Sequence, residues 1–166
     1  MLVSAVSAIL NRDLQTLRRE VEAYPDEHQL WTTAPGITNP GGTLVLHLAG
    51  NLQHYLGRQL GGTDYLRDRP AEFSRRGVPR AELLREIAAA QQAVALLGNL
   101  DDAALRREFP EAVGGATINT AEFLVHIACH FTYHLGQIDY HRRLVTGQNT
   151  PVPGLRPAEL SSARPA

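Results

Sequence analysis

The chain has 166 residues, a length that favours one domain with a substantial buried core. Its 16 basic residues, all arginine, stand against 17 acidic ones, and the formal net charge of -1 gives no electrostatic reason to expect nucleic acid or an anionic membrane as a partner. Because lysine is absent, a lysine Schiff base and a P-loop lysine are both excluded.

Cysteine content leaves the redox compartment of this protein open, and the cytoplasm is the default expectation. Cys129 is the only cysteine, so no internal disulfide can form. No apolar run reaches the length of a membrane span, and the N-terminus lacks the basic and apolar regions of an export signal. We therefore expect a soluble, cytoplasmic chain.

The first predicted helix is amphipathic and ends before Pro25. Its apolar face is formed by residues at helical spacing: Val6, Leu10, Leu14, Leu17 and Val21. Residues 25–42 hold too many turn formers for regular structure, and we expect Trp31 to anchor this loop.

A second helix is predicted over residues 39–60, with Pro40 in its first turn and two glycines after its end. Residues 41–57 include no Asp, Glu, Lys or Arg, so we expect this helix to be buried. Its apolar face comprises Leu44, Leu48, Leu52, Tyr55 and Leu56. The edge of that face carries His47, Asn51 and His54.

The middle of the chain holds one further helix between two irregular segments. Residues 63–78 are polar, charged and interrupted by proline, which predicts a long connection over the surface. A third helix is predicted over residues 79–98, with its core side formed by Leu83, Ile87, Ala90, Val94 and Leu97. For residues 101–118 the regular structure stays open, and a short hairpin is one option.

The last predicted helix covers residues 119–147. Asn119 and Glu122 form an N-cap pair, and Gly147 marks the end. One apolar stripe runs along it: Leu124, Ile127, Phe131, Leu135 and Ile138. Besides histidine, residues 121–140 carry only two charged side chains, so we expect this helix to be covered on most sides.

Together these elements predict an all-α protein built as a four-helix bundle, with one long connection between the second and third helices. We assign residues 1–150 to this domain. Prolines recur in residues 151–166, which predicts a poorly ordered tail.

Histidines of the last helix predict a metal site. At about 100° per residue, one stripe about 80° wide contains His126, His130, His134, Gln137 and His141. His130 and His134 lie one turn apart and can share one ion, and His47 is the best candidate for a third ligand because its helix is also uncharged. Three neutral imidazoles leave coordination positions open, as in catalytic sites, and suit Zn²⁺, Ni²⁺ or Fe²⁺. Gln137 is placed to orient a ligand or a bound water.

Other interpretations of these histidines stay open. They can be hydrogen-bonded core residues or a helix-packing stripe, and His126 can replace His130 as a ligand. Near two arginines, His141 is expected to be exposed, and the loop residue His28 is expected at the surface. His54 lies two turns after the candidate ligand of the second helix.

Several other chemistries are disfavoured. The sequence HIACH lacks the glutamate of the HExxH metalloproteases, and neither a G-x-S-x-G motif nor a phosphate-binding glycine loop occurs. Cys129 lies about 100° around the helix from His130, so it is a poor ligand for the same ion. We expect a buried, inert thiol.

The segments GGTLVLHLAGNLQHYLG, RDRPAEF and HFTYHLGQI resemble the DinB-like (DinB/YfiT) superfamily of metalloenzymes over residues 31–147. The resemblance implies metal ligands at His47, His130 and His134. It also implies up-down-down-up connectivity and, frequently, a homodimer. Leu135 stands where many members carry arginine.

Around the implied ligands we expect a second layer of polar side chains that do not bind the ion. It comprises Gln137, which is the glutamine of the superfamily signature, together with Asn51 and His126. His54 is then an additional histidine of structural or second-layer type.

Two functional hypotheses are open, one based on the histidines and the resemblance, the other on the lack of a recognisable acid, base or nucleophile beyond the histidines and the cysteine. Some relatives use the metal to activate a low-molecular-weight thiol for transfer or isomerisation, some resemble hydrolases, and many have no known reaction. The first hypothesis is a metal-dependent transferase or hydrolase that acts on a small molecule or thiol. The second is a non-catalytic stress-response or dimerisation module, in which any metal is structural or vestigial.

Overall fold

The computed structural model describes residues 1–160 and 162–164, and within them it is all-α, as the sequence predicts. Its α-helices are α1 (Leu2–Glu22), α2 (Gly41–Leu52), α3 (Arg69–Ser74), α4 (Arg80–Ala95), α5 (Asp102–Arg106) and α6 (Thr120–Thr146). Short 3-10 helices occur at Glu27–Trp31, Leu96–Asn99 and Pro157–Glu159. No helix among the described residues combines the length and the hydrophobicity that crossing a membrane would require.

Four long helices surround the core. α1 packs against α4 and α6, and α2 packs against the same two helices. The apolar faces predicted for these helices are buried, apart from Tyr55, which is half-buried. Each fully buried leucine, isoleucine or phenylalanine contributes about 1.5–3 kcal/mol through the hydrophobic effect, so these faces hold the four helices together.

α2 is buried along its whole length, in agreement with its lack of charged side chains. It continues without a break as a π-helix, Gln53–Leu60, where the sequence predicts an ordinary helix. π-helical turns are rare and occur frequently next to functional sites. His54 lies in this π-helix, and its Nε2 faces the Glu111 carboxylate at 3.0 Å.

The connection predicted as a surface segment contains α3. Asp68 caps this helix by accepting a hydrogen bond from the Ala71 N–H at 2.9 Å, and Pro70 lies in its first turn. Both are signals for a helix N-terminus that the sequence interpretation overlooked. α3 packs against α2 and buries Glu72, which is 6% exposed.

Residues 107–119 form a hairpin-like excursion with two isolated β-bridges. Val113 and Ala116 exchange backbone hydrogen bonds of 2.9 and 3.1 Å around Gly114 and Gly115, which both have positive φ. Glycine adopts this left-handed conformation without steric cost. The excursion places Glu111 against the π-helix.

α6 begins and ends as predicted. The Asn119 side chain accepts a hydrogen bond from the Glu122 N–H at 2.8 Å, and Gly147 ends the helix in the left-handed conformation.

The prediction that α6 is covered on most sides is wrong. Its outer face exposes Val125, Tyr133, Tyr140 and Leu144 by 47% to 71%, and Cys129, predicted to be buried, is exposed there too. α1, α2 and α5 pack on its other side, so a low charge content does not mean burial within one chain.

Arg142 connects α6 to α1 inside the protein. It is 1% exposed, and its Nε donates to Glu20 Oε2 at 2.6 Å. Its terminal nitrogens donate to Asp139 Oδ1 at 3.1 Å, Gln148 Oε1 at 2.8 Å and the Thr150 carbonyl at 3.3 Å. Burial raises the pKa of Glu20, and the Arg142 guanidinium opposes that effect.

The segment after α6 lies against α1. Arg19 donates to the Pro153 carbonyl at 2.7 Å and lies 3.6 Å from Glu159. Of the tail predicted over residues 151–166, positions 161, 165 and 166 lie outside the described residues.

We predict that Arg142→Met lowers the free energy of unfolding by about 3–5 kcal/mol, because Glu20 then remains buried without a counter-charge. Urea unfolding followed by circular dichroism measures this change. Arg143→Met is the matched control, since Arg143 makes a more exposed pair with Asp139 and should contribute less than about 1 kcal/mol. Equal losses in the two variants would contradict the prediction.

Candidate metal centre

Three histidines from two helices converge on one point. His47 comes from α2, and His130 and His134 come from adjacent turns of α6. Each offers one ring nitrogen, and these three atoms lie within 4.8 Å of one another. The residues that the sequence singled out as candidate ligands are therefore brought together by the packing of α2 against α6.

The spacing of the ring nitrogens fits a small divalent cation. His47 Nε2 and His130 Nε2 are 3.4 Å apart. In a tetrahedral site with metal–nitrogen distances of about 2.0–2.1 Å, two ligand nitrogens are separated by about 3.3–3.4 Å. This pair already has the separation of two ligands in a tetrahedral site, and the three-histidine cluster as a whole is compatible with a metal ion.

Glu72 fixes the orientation and tautomer of His47. Nδ1 of His47 donates a hydrogen bond to Glu72 Oε2 at 3.0 Å, which leaves the lone pair of Nε2 directed at the cluster. Arg67 donates to both carboxylate oxygens, with Nε at 2.6 Å from Oε1 and Nη2 at 2.9 Å from Oε2. Burial alone would raise the pKa of Glu72, but the hydrogen bonds from Arg67 and His47 outweigh burial and lower it.

Sequence reasoning did not find Arg67 or Glu72. Both belong to the segment interpreted as a surface connection, and nothing in the spacing of the histidines points to them. Gly50 in α2 nevertheless indicated that another side chain packs closely against this helix. A Cβ atom at this position would collide with the Glu72 carboxylate, so glycine there indicates a close approach of another side chain.

Gln137 orients the ring of His134 through a hydrogen bond at Nδ1, as Glu72 orients the ring of His47. His134 Nδ1 donates to Gln137 Oε1 at 2.6 Å, so its Nε2 lone pair is available on the opposite edge of the ring. The Asn51 amide nitrogen lies 3.1 Å from His47 Nε2 and 3.5 Å from His130 Nδ1. Both polar residues therefore contact the cluster.

The environment of the cluster favours the neutral forms of His130 and His134, because the pKa of each is lowered. Burial and the neighbouring rings of His134, His47 and His126, together with Arg67, lower the pKa of His130 to about 4. Burial also lowers the pKa of His134. A neutral imidazole has a free lone pair, which is the form that binds a metal ion.

Two other histidines lie near the cluster without joining it. His126 is exposed, and its ring centroid is 6.2 Å from that of His130. His54 pairs with Glu111 and lies in the π-helix beyond Asn51. Of the two, only His126 faces the space next to the cluster.

The prediction that His141 is exposed is wrong. It is 2% exposed, with Nδ1 at 2.8 Å from the Tyr24 hydroxyl and Nε2 at 2.8 Å from the Thr32 carbonyl. The adjacent arginines suggested a solvent-facing turn, but Arg142 is itself buried by its ion pair. His141 is thus a hydrogen-bonded core residue, whereas His28 is exposed as expected.

A cleft of about 190 Å³ opens onto the histidine cluster, and we call it the histidine cleft. It is lined by His47, Asn51, Tyr55, Arg67, Arg69, Val113, His126, Ile127 and His130. A second cleft of about 460 Å³, the apolar cleft, lies beyond Gln137. It is lined by Gly36, Ile37, Thr38, Asn39, Leu44, Gln137, Tyr140, His141 and Leu144.

Comparison with known proteins agrees with the geometry. The model of the Mycothiol-S-transferase (MST) family matches residues 5–147, a range that contains all three clustered histidines. This family is DinB/YfiT-like, which confirms the superfamily resemblance. No curated protein matches the chain significantly. With most of its length matched by the family model, the chain belongs to the Mycothiol-S-transferase family.

Proposed function

We propose that this protein is a metal-dependent S-transferase that joins a low-molecular-weight thiol to a small electrophile. The observation that carries the proposal is the convergence of three ring nitrogens on one point, with His47 and His134 each oriented by a hydrogen bond on the far ring nitrogen. His47, His130 and His134 are the proposed ligands. The family name, which refers to transfer of a thiol, supports the same reaction class.

The proposed ligands suit Zn²⁺, Ni²⁺ or Fe²⁺, since all three ions accept imidazole nitrogen. When bound, such an ion supplies a positive charge that lowers the pKa of a thiol and so makes thiolate available near neutral pH. Glu72 and Gln137 hold the rings of their partner histidines in place. With three protein ligands, the site keeps a position open for substrate.

The sulfur must come from a second molecule. Cys129, the only cysteine, is exposed on the outer face of α6 and is not one of the residues of the cluster. In the proposed reaction the sulfur of the bound thiol forms a bond to the electrophilic carbon, the leaving group departs with the bonding electron pair, and the thiol proton is released to water. With water in place of the thiol, the same site would act as a hydrolase.

We further propose that the four long helices form an up-down-down-up bundle over residues 1–150, and that two chains form a homodimer. The ring of contacts between α1, α4, α2 and α6 supports the bundle. The exposed outer face of α6 supports the dimer, because it carries the apolar side chains of Val125, Tyr133 and Leu144. Such a face can pack against its own copy about a two-fold axis. The cytoplasmic location stays a prediction from the sequence.

The metal and the reaction can be tested together. The purified protein should contain about one divalent ion per chain, and replacement of any one of His47, His130 or His134 by alanine should reduce this to below about 0.2, because two remaining ligands bind weakly. Elemental analysis measures the ion, and conjugation of mycothiol to two small electrophiles, neutral monochlorobimane and anionic iodoacetate, measures activity. The control His28→Ala should retain both.

The outcomes separate the two hypotheses. Bound metal without turnover, together with a large rise in melting temperature on metal addition, would favour the non-catalytic module. Absence of metal after reconstitution with zinc, nickel and iron salts would refute the metalloenzyme.

Glu72→Gln should weaken metal affinity by about 10–100-fold, because a neutral amide in place of the carboxylate makes His47 a weaker base. Competition with a chromogenic chelator measures this affinity. Glu82→Gln is the matched control, since Glu82 pairs with Arg75 in a more exposed position on α4. If both variants bind metal as tightly as the wild type, Glu72 does not support the ligand.

The outer face of α6 is the proposed contact between the two chains of the dimer. Glutamate at both Val125 and Tyr133 should convert the dimer into monomers at micromolar concentration, because two copies would then bury four like charges. Sedimentation velocity measures the mass, and circular dichroism checks that the fold is retained. Leu66→Glu is the control, because Leu66 is 77% exposed and lies outside α6. A monomeric wild type would overturn the proposal.

A further inference from the structure

The polar lining of the histidine cleft has an unusual charge balance. It includes two arginines, Arg67 and Arg69, and no carboxylate among its lining residues. Arg67 is neutralised by its two hydrogen bonds to Glu72, which lies behind the cleft wall. The net positive charge of the cleft therefore comes from Arg69.

Arg69 is held in position without a carboxylate partner. Its guanidinium carbon lies 5.1 Å from the centroid of the Phe73 ring, and that ring is in turn 4.9 Å from the ring of His47. Within the part of the chain that the structure describes, no carboxylate oxygen lies within 4.0 Å of the Arg69 nitrogens. Arg69 is exposed, and its cation–π contact with Phe73 leaves its N–H donors available to a ligand.

A bound divalent ion would add to the positive charge of the histidine cleft. Arg67 and Glu72 cancel each other, so a divalent ion and Arg69 together carry three positive charges. A thiolate compensates one of them. The remaining positive charge lies in a cleft of only about 190 Å³, where it favours a small anion over a neutral molecule.

We propose that the histidine cleft selects electrophiles that carry a carboxylate group, and that Arg69 binds this carboxylate. The proposal rests on the proposed transferase function and adds the substrate class. A planar carboxylate matches the fork of guanidinium donors and can accept two parallel hydrogen bonds. Arg69 is then a specificity residue, which positions the electrophilic carbon near the histidine cluster and takes no part in bond making.

The test uses binding of succinate, a small carboxylate, to the zinc-loaded protein. Succinate should bind more tightly than its uncharged diamide, and Arg69→Gln should weaken succinate binding by at least about tenfold, as expected for loss of hydrogen bonds between charged groups. Arg69→Lys should retain part of the affinity, because it keeps the charge without the fork. Arg76→Gln, which removes an exposed arginine beyond α3, is the control and should bind succinate normally. Isothermal titration calorimetry measures all four proteins.

Equal succinate affinity in wild type and Arg69→Gln, or equal binding of succinate and the diamide, overturns the carboxylate site while leaving the metal site intact. Mercaptosuccinate, a thiol with two carboxylates, is titrated in the same way. If Arg69→Gln weakens the binding of mercaptosuccinate but not that of succinate, the carboxylate belongs to the thiol and the proposal for the electrophile is wrong. The same titrations on zinc-free protein separate the two proposals. Arg69-dependent succinate binding that persists in a protein unable to hold zinc supports the anion site and refutes the metalloenzyme.

Discussion

A chain of hydrogen bonds through three side chains, Arg67, Glu72 and His47, leads to the candidate metal centre. Arg67 holds both oxygens of Glu72, and Glu72 accepts the Nδ1 proton of His47. Because the pKa of Glu72 is lowered, its carboxylate stays ionised and continuously orients the ring. The position of the one candidate ligand from α2 relative to the two from α6 depends on this chain.

Close packing makes that chain of hydrogen bonds possible. α3 approaches α2 at Gly50, where any Cβ would overlap the Glu72 carboxylate, and Trp31 packs over Gly42 in the same helix in a similar way. Glycine in a helix costs about 1 kcal/mol relative to alanine. Here the cost is offset by the contacts that the missing side chain allows. The tight approach also keeps water away from His47, which is 7% exposed.

α6 has a polar attachment to α1 as well as an apolar one. Thr132 donates to the buried carboxylate of Asp13 at 2.6 Å, and Arg142 donates to Glu20 further along. Apolar surfaces tolerate sliding, whereas a buried hydrogen bond is lost if the helix shifts by one residue. These contacts therefore fix the rotation of α6, and with it the direction in which His130 and His134 point. The opposite face of the same helix stays free for another molecule.

The sequence alone determined the helical class, the buried faces of the long helices and the pair of histidines on the last helix, because periodicity and local spacing report on single helices. It also indicated His47, because the absence of charged side chains predicted burial of the second helix, and this prediction is correct for α2 although the same reasoning is wrong for the outer face of α6. Only the tertiary structure decided which residues support the site. Glu72 lies on the short helix α3, whose N-cap signal was overlooked, and Arg67 lies just before that helix. The contact of Glu72 with His47 of α2 depends on long-range packing. For the same reason the exposure of Cys129 and the burial of His141 could not be read from the sequence, since both depend on which side of α6 has a neighbour.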